Sequence, residues 1–507
     1  MLEDSTVPQL LTVGAEDAIA LAAPESEPLS FGALRQQIER TVSSLNQLGI
    51  GRNDRVGLVL PNGPEMASAF VAVASGATTA PLNSSYRRSE FEFYLSDLNA
   101  RALIVELGDD SPARDAAGAL GITVLELDAS SGPAGAFELR GIPVDRSNAH
   151  EDGMAIGDDI ALVLHTSGTT SRPKIVPLTH RNITATAANI RASLQLESID
   201  RCLNVMPLFH IHGLMAAVLA SLSAGGSVYC SPGFNALRFF SWLQDANPTW
   251  FTAVPTMHQA ILKRAERNRE IIESVRLRFI RSSSASLPTQ VMTAAEQTFG
   301  CPLVEAYAMT EAAHQMTCNP LPPGVRKPGT VGLAAGPKVA IMNEAGALLE
   351  PSNTGEVVIR GGTVTAGYEN NPQANTECFT NGWFRTGDQG VIDDEGYLTI
   401  TGRLKEIINR GGEKISPLEV DGVLMDHPAV QQVVTFAVPH PTLGEEVAAV
   451  IVLREGQQTT KHEIRAFAAE RLADFKVPRK VVVVDEIPKG PTGKMQRIGL
   501  AEKLNLS

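Results

Sequence analysis

Short apolar runs alternate with longer amphipathic stretches through most of this chain, and no other feature limits its fold as strongly. Residues 31–48 read as a helix, 55–60 as a strand, and 63–75 as a second helical stretch after the Pro61-Asn62-Gly63 punctuation. Residues 103–105 and 122–127 are candidate short strands. In the middle, Ile160-Ala161-Leu162-Val163-Leu164 reads as a buried strand, and strand-like runs at 249–254 and 277–280 alternate with helix candidates at 256–264 and 288–299. Such an order predicts an α/β fold whose sheet presents several loops to one cleft. After Val339 short strands dominate, clearest at 355–360 and 397–401, with Asp393-Asp394-Glu395-Gly396 as a turn. A smaller unit is expected from Gly402, built from a helix at 417–424, strands at 433–438 and 447–452, and a helix at 461–472. The predicted division is 1–401 and 402–507, and the 507-residue length exceeds what one hydrophobic core usually fills.

Composition narrows the class. An apolar fraction of 43% with 20% charged residues fits a folded globular chain. The formal charge of −13 argues against a nucleic-acid binder, while leaving room for local basic groups that hold phosphates in a cleft. Five cysteines are too widely spaced for a metal knuckle or a dense disulfide framework. The acidic start lacks a positively charged leader, and no uninterrupted apolar run is long enough for a bilayer span. The final Leu504-Asn505-Leu506-Ser507 is not a peroxisomal Ser-Lys-Leu ending. A cytoplasmic protein without stable membrane insertion is the expectation.

The chemistry gathers in loops. The strand at Ile160 leads into Thr166-Ser167-Gly168-Thr169-Thr170-Ser171-Arg172-Pro173-Lys174. Gly168 permits close backbone curvature, the hydroxyls and amides of Thr166, Ser167, Thr169 and Thr170 can share phosphate charge, and Lys174 adds a mobile cation. By itself the segment also reads as a solvated Ser/Thr turn, and it is not the hydrolase loop ending in Gly-Lys-Ser/Thr. Tyr307-Ala308-Met309-Thr310-Glu311 supplies a ring suited to cover adenine, a hydroxyl for phosphate and a carboxylate for Mg²⁺. Core packing of Tyr307 and a helix-start charge at Glu311 are the alternatives. Asp388, in Trp383-Phe384-Arg385-Thr386-Gly387-Asp388, can accept from both ribose hydroxyls while Arg403 offers a fork of donors, unless both are ordinary surface charges. Pro491-Thr492-Gly493-Lys494 places a lysine where it can approach a carboxylate and the ATP α-phosphate, or is only a basic surface turn.

Jointly, the segments 166–174, 307–311, 386–388, 402–406 and 491–494 resemble the adenylate-forming superfamily, and within it the acyl-CoA ligases, over nearly the whole chain. Ser171 and Ile175 stand where that family's loop often has glycine. The resemblance implies a large multilobed α/β domain with mixed sheets that binds ATP and the acyl group, followed by a smaller mobile α+β C-terminal domain. It implies that Lys494 approaches the reacting carboxylate, Thr310 contacts phosphate, Glu311 holds Mg²⁺ and Asp388 binds ribose. Lys405 would be the hinge, and rotation there would exchange Lys494 for Gly411-Gly412-Glu413-Lys414, opening a route for the thiol of coenzyme A. The implied cycle converts a small carboxylic acid and ATP into acyl-AMP and pyrophosphate, then acyl-AMP and CoA into acyl-CoA and AMP, with no covalent enzyme nucleophile.

The identity of the acid is read from Arg281-Ser282-Ser283-Ser284-Ala285-Ser286, from His210 and His212 in Pro207-Leu208-Phe209-His210-Ile211-His212-Gly213, and from His314. Polar side chains there suit a second carboxylate, whereas a long hydrocarbon would leave their burial uncompensated. Ser282 and His210 read most simply as scaffold. These segments resemble the oxalate-CoA ligases, which implies that Ser284 and His314 bind oxalate. His212 is the weaker candidate, with thiol access or loop packing as its alternatives. A 4-coumarate-like or fatty acyl-CoA ligase and a catalytically silent nucleotide-binding regulator are the competing expectations.

Overall fold

The alternation of apolar and amphipathic stretches resolves into two mixed sheets that share one core. The fold is that of a computed structural model, which describes residues 5–130, 132–143, 151–166, 173–488, 495 and 497–506. In a seven-stranded sheet, Arg55–Val59, Thr78–Pro81, Ala102–Glu106 and Thr123–Asp128 run parallel, with helices such as Pro64–Ala74 returning the chain between them. One edge of this sheet is the antiparallel hairpin of Ile160–Thr166 with Lys174–Thr179, in which Thr166 lies opposite Lys174.

A second, nine-stranded sheet places Ser227–Cys230, Arg201–Asn204, Trp250–Ala253, Phe279–Ser283 and Leu303–Met309 side by side and parallel. The chain then reverses through a 3₁₀ turn at Thr310–Ala312 into the antiparallel strand His314–Cys318. The largest apolar cluster draws on both sheets, with Leu58, Ile104, Val228 and Phe279, and on the helices Pro64–Ala74, His180–Ser193 and His212–Leu219. Pro64–Ala74 is buried at every residue except Glu65, as a helix apolar all round must be.

Two further sheets follow. Lys338–Met342, Gly355–Arg360, Trp383–Ile392 and Phe379–Thr380 form an antiparallel sheet to which Leu398–Arg403 adds on Trp383–Ile392. The last sheet is built from Ile408–Arg410, Glu413–Ile415, Val430–His440, Gly444–Leu453 and Lys480–Val483. Alternate residues of its long strands face opposite ways: Val433, Ala449 and Ile451 pack with Val420 and Ile464 of the helices Pro417–Met425 and Lys461–Ala469, while Val434, Phe436 and Val450 pack with Ile487 and Leu500. The architecture is thus α/β with mixed sheets and a smaller α+β C-terminal unit. Side chains of that unit reach the preceding body where Gln290 donates to Asp426 and where Gln432 donates to Gln259 at 3.4 Å. Among the described residues no helix is long and apolar enough to cross a membrane.

Several expected elements sit close to their predicted places, including Phe31–Gln47, Pro255–Ala265 and Gly355–Arg360. Three differences bear on the site. The strand expected at 277–280 runs instead from Phe279 to Ser283, because Arg281, Ser282 and Ser283 continue it as fully buried polar residues. The strand expected at 397–401 continues to Arg403, with Gly402 opposite Gln389 and Arg403 opposite Asp388. His212–Leu219 forms a π-helix buried at all eight positions, which leaves no polar face for a periodicity argument to find.

Candidate functional site

Lys174 and Glu311 are brought to the same aromatic ring. Lys174, the first residue of its strand, holds its ammonium 4.4 Å from the centroid of Tyr368. The Tyr368 hydroxyl donates to Glu311 Oε1 at 2.8 Å. Burial, then the Glu311 charge, drives the Tyr368 phenol well above its ordinary range, so it remains a donor. Glu311 lies in the 3₁₀ turn that joins two antiparallel strands, and its carbonyl accepts from Thr365 N at 2.8 Å. Thr310 opens the same turn and Thr166 ends the neighbouring hairpin strand, both half-buried. Ser167, Gly168, Thr169 and Thr170 lie outside the described residues. Among the described residues no cluster of three metal-ligating side chains forms, so any Mg²⁺ here would take Glu311 together with phosphate oxygens. A lone buried carboxylate fits that arrangement.

A second cluster surrounds Asp388. Its Oδ2 accepts from the Tyr307 hydroxyl at 2.5 Å, and its Oδ1 accepts from Arg403 Nε at 2.8 Å. Strand pairing explains the geometry, since Asp388 and Arg403 are cross-strand partners on Trp383–Ile392 and Leu398–Arg403. Burial and then Asp388 raise the Tyr307 phenol far above its ordinary value, while Asp388 is the main reason the Arg403 guanidinium is raised. The carboxylate is buried and held from two sides.

The acyl-pocket candidates also meet. His212 Nδ1 lies 3.0 Å from Ser284 Oγ, and His212 Nε2 lies 2.7 Å from Thr252 Oγ1. The His212 and His314 rings have centroids 5.2 Å apart. Arg281 NH1 reaches His212 Nε2 at 3.4 Å and Arg281 NH2 donates to Gln315 Oε1 at 3.2 Å. Arg281 has no exposed surface, and burial pulls its guanidinium down to about 10. Ser284 sits just beyond the strand end with φ +74°, and His314 follows the turn with φ +115°. These are uncommon conformations for side-chain-bearing residues, of the kind that cluster at ligand sites. Ser282 is buried within its strand, and the half-buried His210 accepts from His212 N at 3.3 Å.

The remaining candidates belong to the C-terminal unit. Lys405 is exposed in the turn after Arg403. Gly411 and Gly412, at φ +61° and +99°, make a two-residue hairpin turn that glycine favours, with Arg410 opposite Glu413 and with Lys414 exposed. This hairpin is fastened within its own unit by Gly411 N donating to Leu443 O at 2.8 Å. Lys494 lies outside the described residues. Tyr368, Arg281, Thr252 and Gln315 escaped the sequence reading as site residues. The signal for Arg281 was its place beside the serine run; Tyr368 had none.

The family model described as AMP-binding enzyme matches residues 12–369, and that described as AMP-binding enzyme C-terminal domain matches residues 419–494. The chain belongs to the AMP-binding enzyme family. This AMP-binding enzyme is 47% identical over 492 residues to an oxalate–CoA ligase of Arabidopsis thaliana, covering 95% of this chain and 94% of the relative. It is 43% identical over 475 residues to an oxalate–CoA ligase of Saccharomyces cerevisiae, covering 89% and 87%. The solved structure of ATP-bound MatB from Rhodopseudomonas palustris superposes with a TM-score of 0.87 at 27% identity, covering 98% of each chain.

Proposed function

We propose that this AMP-binding enzyme is an ATP-dependent oxalate–CoA ligase. The observation that carries the acid assignment is the polar cluster of Ser284, His212 and His314 at the turn end of adjoining strands. A second carboxylate can accept from hydroxyl and imidazole donors in such a cluster, which a hydrocarbon chain cannot do. The two oxalate–CoA ligase relatives support the same reading.

In the first half-reaction one oxalate oxygen attacks the α-phosphorus of ATP, an O–P bond forms, and pyrophosphate leaves with its bridging oxygen. Thr166, the loop residues Ser167 to Thr170, Lys174 and Thr310 gather the phosphates, Tyr307 covers the adenine, and Asp388 with Arg403 takes the ribose. Glu311 would hold Mg²⁺, whose charge would offset that of the phosphates. Lys494 offsets charge as the two anions approach. In the second half-reaction the CoA sulfur attacks the oxalyl carbonyl, the C–O bond to AMP breaks, and the thiol proton passes to solvent. The division at 401/402 makes the C-terminal unit the moving part, with Lys405 as hinge and 411–414 replacing Lys494 for thiol entry. A cytoplasmic setting suits these soluble substrates.

The test measures ATP-dependent acyl-CoA formation and AMP release with oxalate, malonate, acetate, a medium-chain fatty acid and an aromatic acid at equal concentration. Oxalate is expected to dominate kcat/KM. A strong preference for the long or aromatic acid without oxalate turnover overturns the substrate, and absence of turnover with every acid favours a silent nucleotide binder.

A further inference from the structure

Arg281 is a fully buried cation, and among the described residues its side-chain contacts are His212 and Gln315, with no carboxylate paired to it. Isolated buried charge is costly, and a chain without a use for it would carry a hydrophobic residue there. Its contacts run along one line. Arg281 and Thr252 are register partners on neighbouring parallel strands, so both side chains rise from the same face of the sheet toward the π-helix that starts at His212. His212 Nε2 meets both of them, and His212 Nδ1 meets Ser284.

A guanidinium has donors and no acceptor. The Arg281 N–H at 3.4 Å can only donate, which favours His212 Nε2 as the lone-pair nitrogen, and the Thr252 hydroxyl at 2.7 Å can donate to that same lone pair or accept from an Nε2 proton. A protonated ring would set a second cation against Arg281. With Nε2 as the acceptor, the ring proton falls on Nδ1, and that N–H would donate to Ser284 Oγ at 3.0 Å. With one of its lone pairs engaged, the half-buried Ser284 hydroxyl turns its own hydrogen away from His212.

We propose that Arg281 is a positioning residue that sets the tautomer of His212 and thereby makes Ser284 a hydrogen-bond donor toward the free carboxylate of the acid. Arg281 itself touches no substrate. The relay converts a charge placed too deep to reach the pocket into a directed hydroxyl, and a carboxylate is the partner that only accepts. The proposal rests on the oxalate reading for the identity of the acceptor, while the tautomer stands on protein contacts alone.

Two measurements test it separately. Long-range proton–nitrogen correlation spectra of histidine-labelled protein, with the His212 signal assigned by its loss in His212→Gln, report the tautomer without substrate. The wild type and Arg281→Lys are expected to show protonated Nδ1 and bare Nε2, and Arg281→Met is expected to lose that bias. Protonated Nε2 in the wild type, or an unchanged tautomer in folded Arg281→Met, overturns the relay. Kinetics then read its use: Arg281→Met should raise KM for oxalate roughly 10-fold or more with little change for acetate, Arg281→Lys should recover part of the loss, and in a Ser284→Ala background Arg281→Met should add little. Additive losses overturn the coupling. An enzyme that shows the expected tautomer yet turns over no oxalate would refute the substrate reading and leave the relay intact.

Discussion

Ser284 holds a left-handed backbone angle, φ +74°, that costs a side-chain-bearing residue about 1 kcal/mol or more and costs glycine nothing. Ser284→Gly is therefore expected to raise the melting temperature slightly while lowering kcat/KM for oxalate, whereas Ser284→Ala should lower oxalate use without the stability gain. Thermal melts beside steady-state kinetics decide this, and unchanged oxalate kinetics in both variants would detach Ser284 from the pocket. Nearby, Glu305 is a buried carboxyl pushed from 4.5 up to about 8 by burial, opposed only by the backbone N–H of Leu287, which donates at 2.9 Å. An acid with a raised folded pKa binds more protons when folded. Its effect is harmless below the unfolded value and costs stability as pH rises toward about 8. Glu305→Gln removes that titration, so its stability relative to wild type should climb by on the order of a few kcal/mol between about pH 5 and about pH 9, read by urea unfolding. A pH-independent difference would show that Glu305 is ionised throughout.

The π-helix His212–Leu219 decides where the His212 ring stands, and its entry depends on Gly213. A Cβ added there would lie 2.5 Å from the Pro207 carbonyl oxygen, a backbone atom that a rotamer change cannot move aside. Gly213→Ala is expected to cost about 1–3 kcal/mol in urea unfolding and to raise KM for oxalate, because relief of the clash displaces His212. Wild-type stability and KM in that variant would mean that the loop adapts freely. The hairpin of Leu303–Met309 with His314–Cys318 plays the same part for both candidate clusters at once. Its turn delivers Glu311 to the Tyr368 hydroxyl, and its return strand starts at His314 beside His212.

The two units of the chain are joined through the exposed turn that holds Lys405, and their described side-chain contacts include Gln290 with Asp426 and Gln432 with Gln259. Polar contacts of this kind suit a unit that moves between half-reactions. Lys405→Pro should leave adenylation, measured as pyrophosphate release, near wild type while slowing thioester formation from supplied acyl-AMP about 10-fold or more. Lys494→Ala should do the reverse. Equal losses in both half-reactions for either variant would count against the division of labour.

The order of apolar runs determined the α/β class and much of the helix and strand order, because burial periodicity is written locally in each segment. The phosphate-loop candidates rest on residue types beside a strand end, and Ser167, Gly168, Thr169, Thr170 and Lys494 lie outside the described residues. Only the tertiary structure decided the rest. Strand register put Arg403 opposite Asp388 and Thr252 beside Arg281, pairings between residues distant in the chain that no local pattern encodes. The fully buried π-helix offered no amphipathic face to read. Arg281 looked from its sequence like one more basic residue beside a run of serines; its complete burial against His212 is what separates it from a surface charge. Spacing can propose that Ser284 and His314 serve one substrate, but whether their side chains converge depends on neighbouring strands and the helix packed above them.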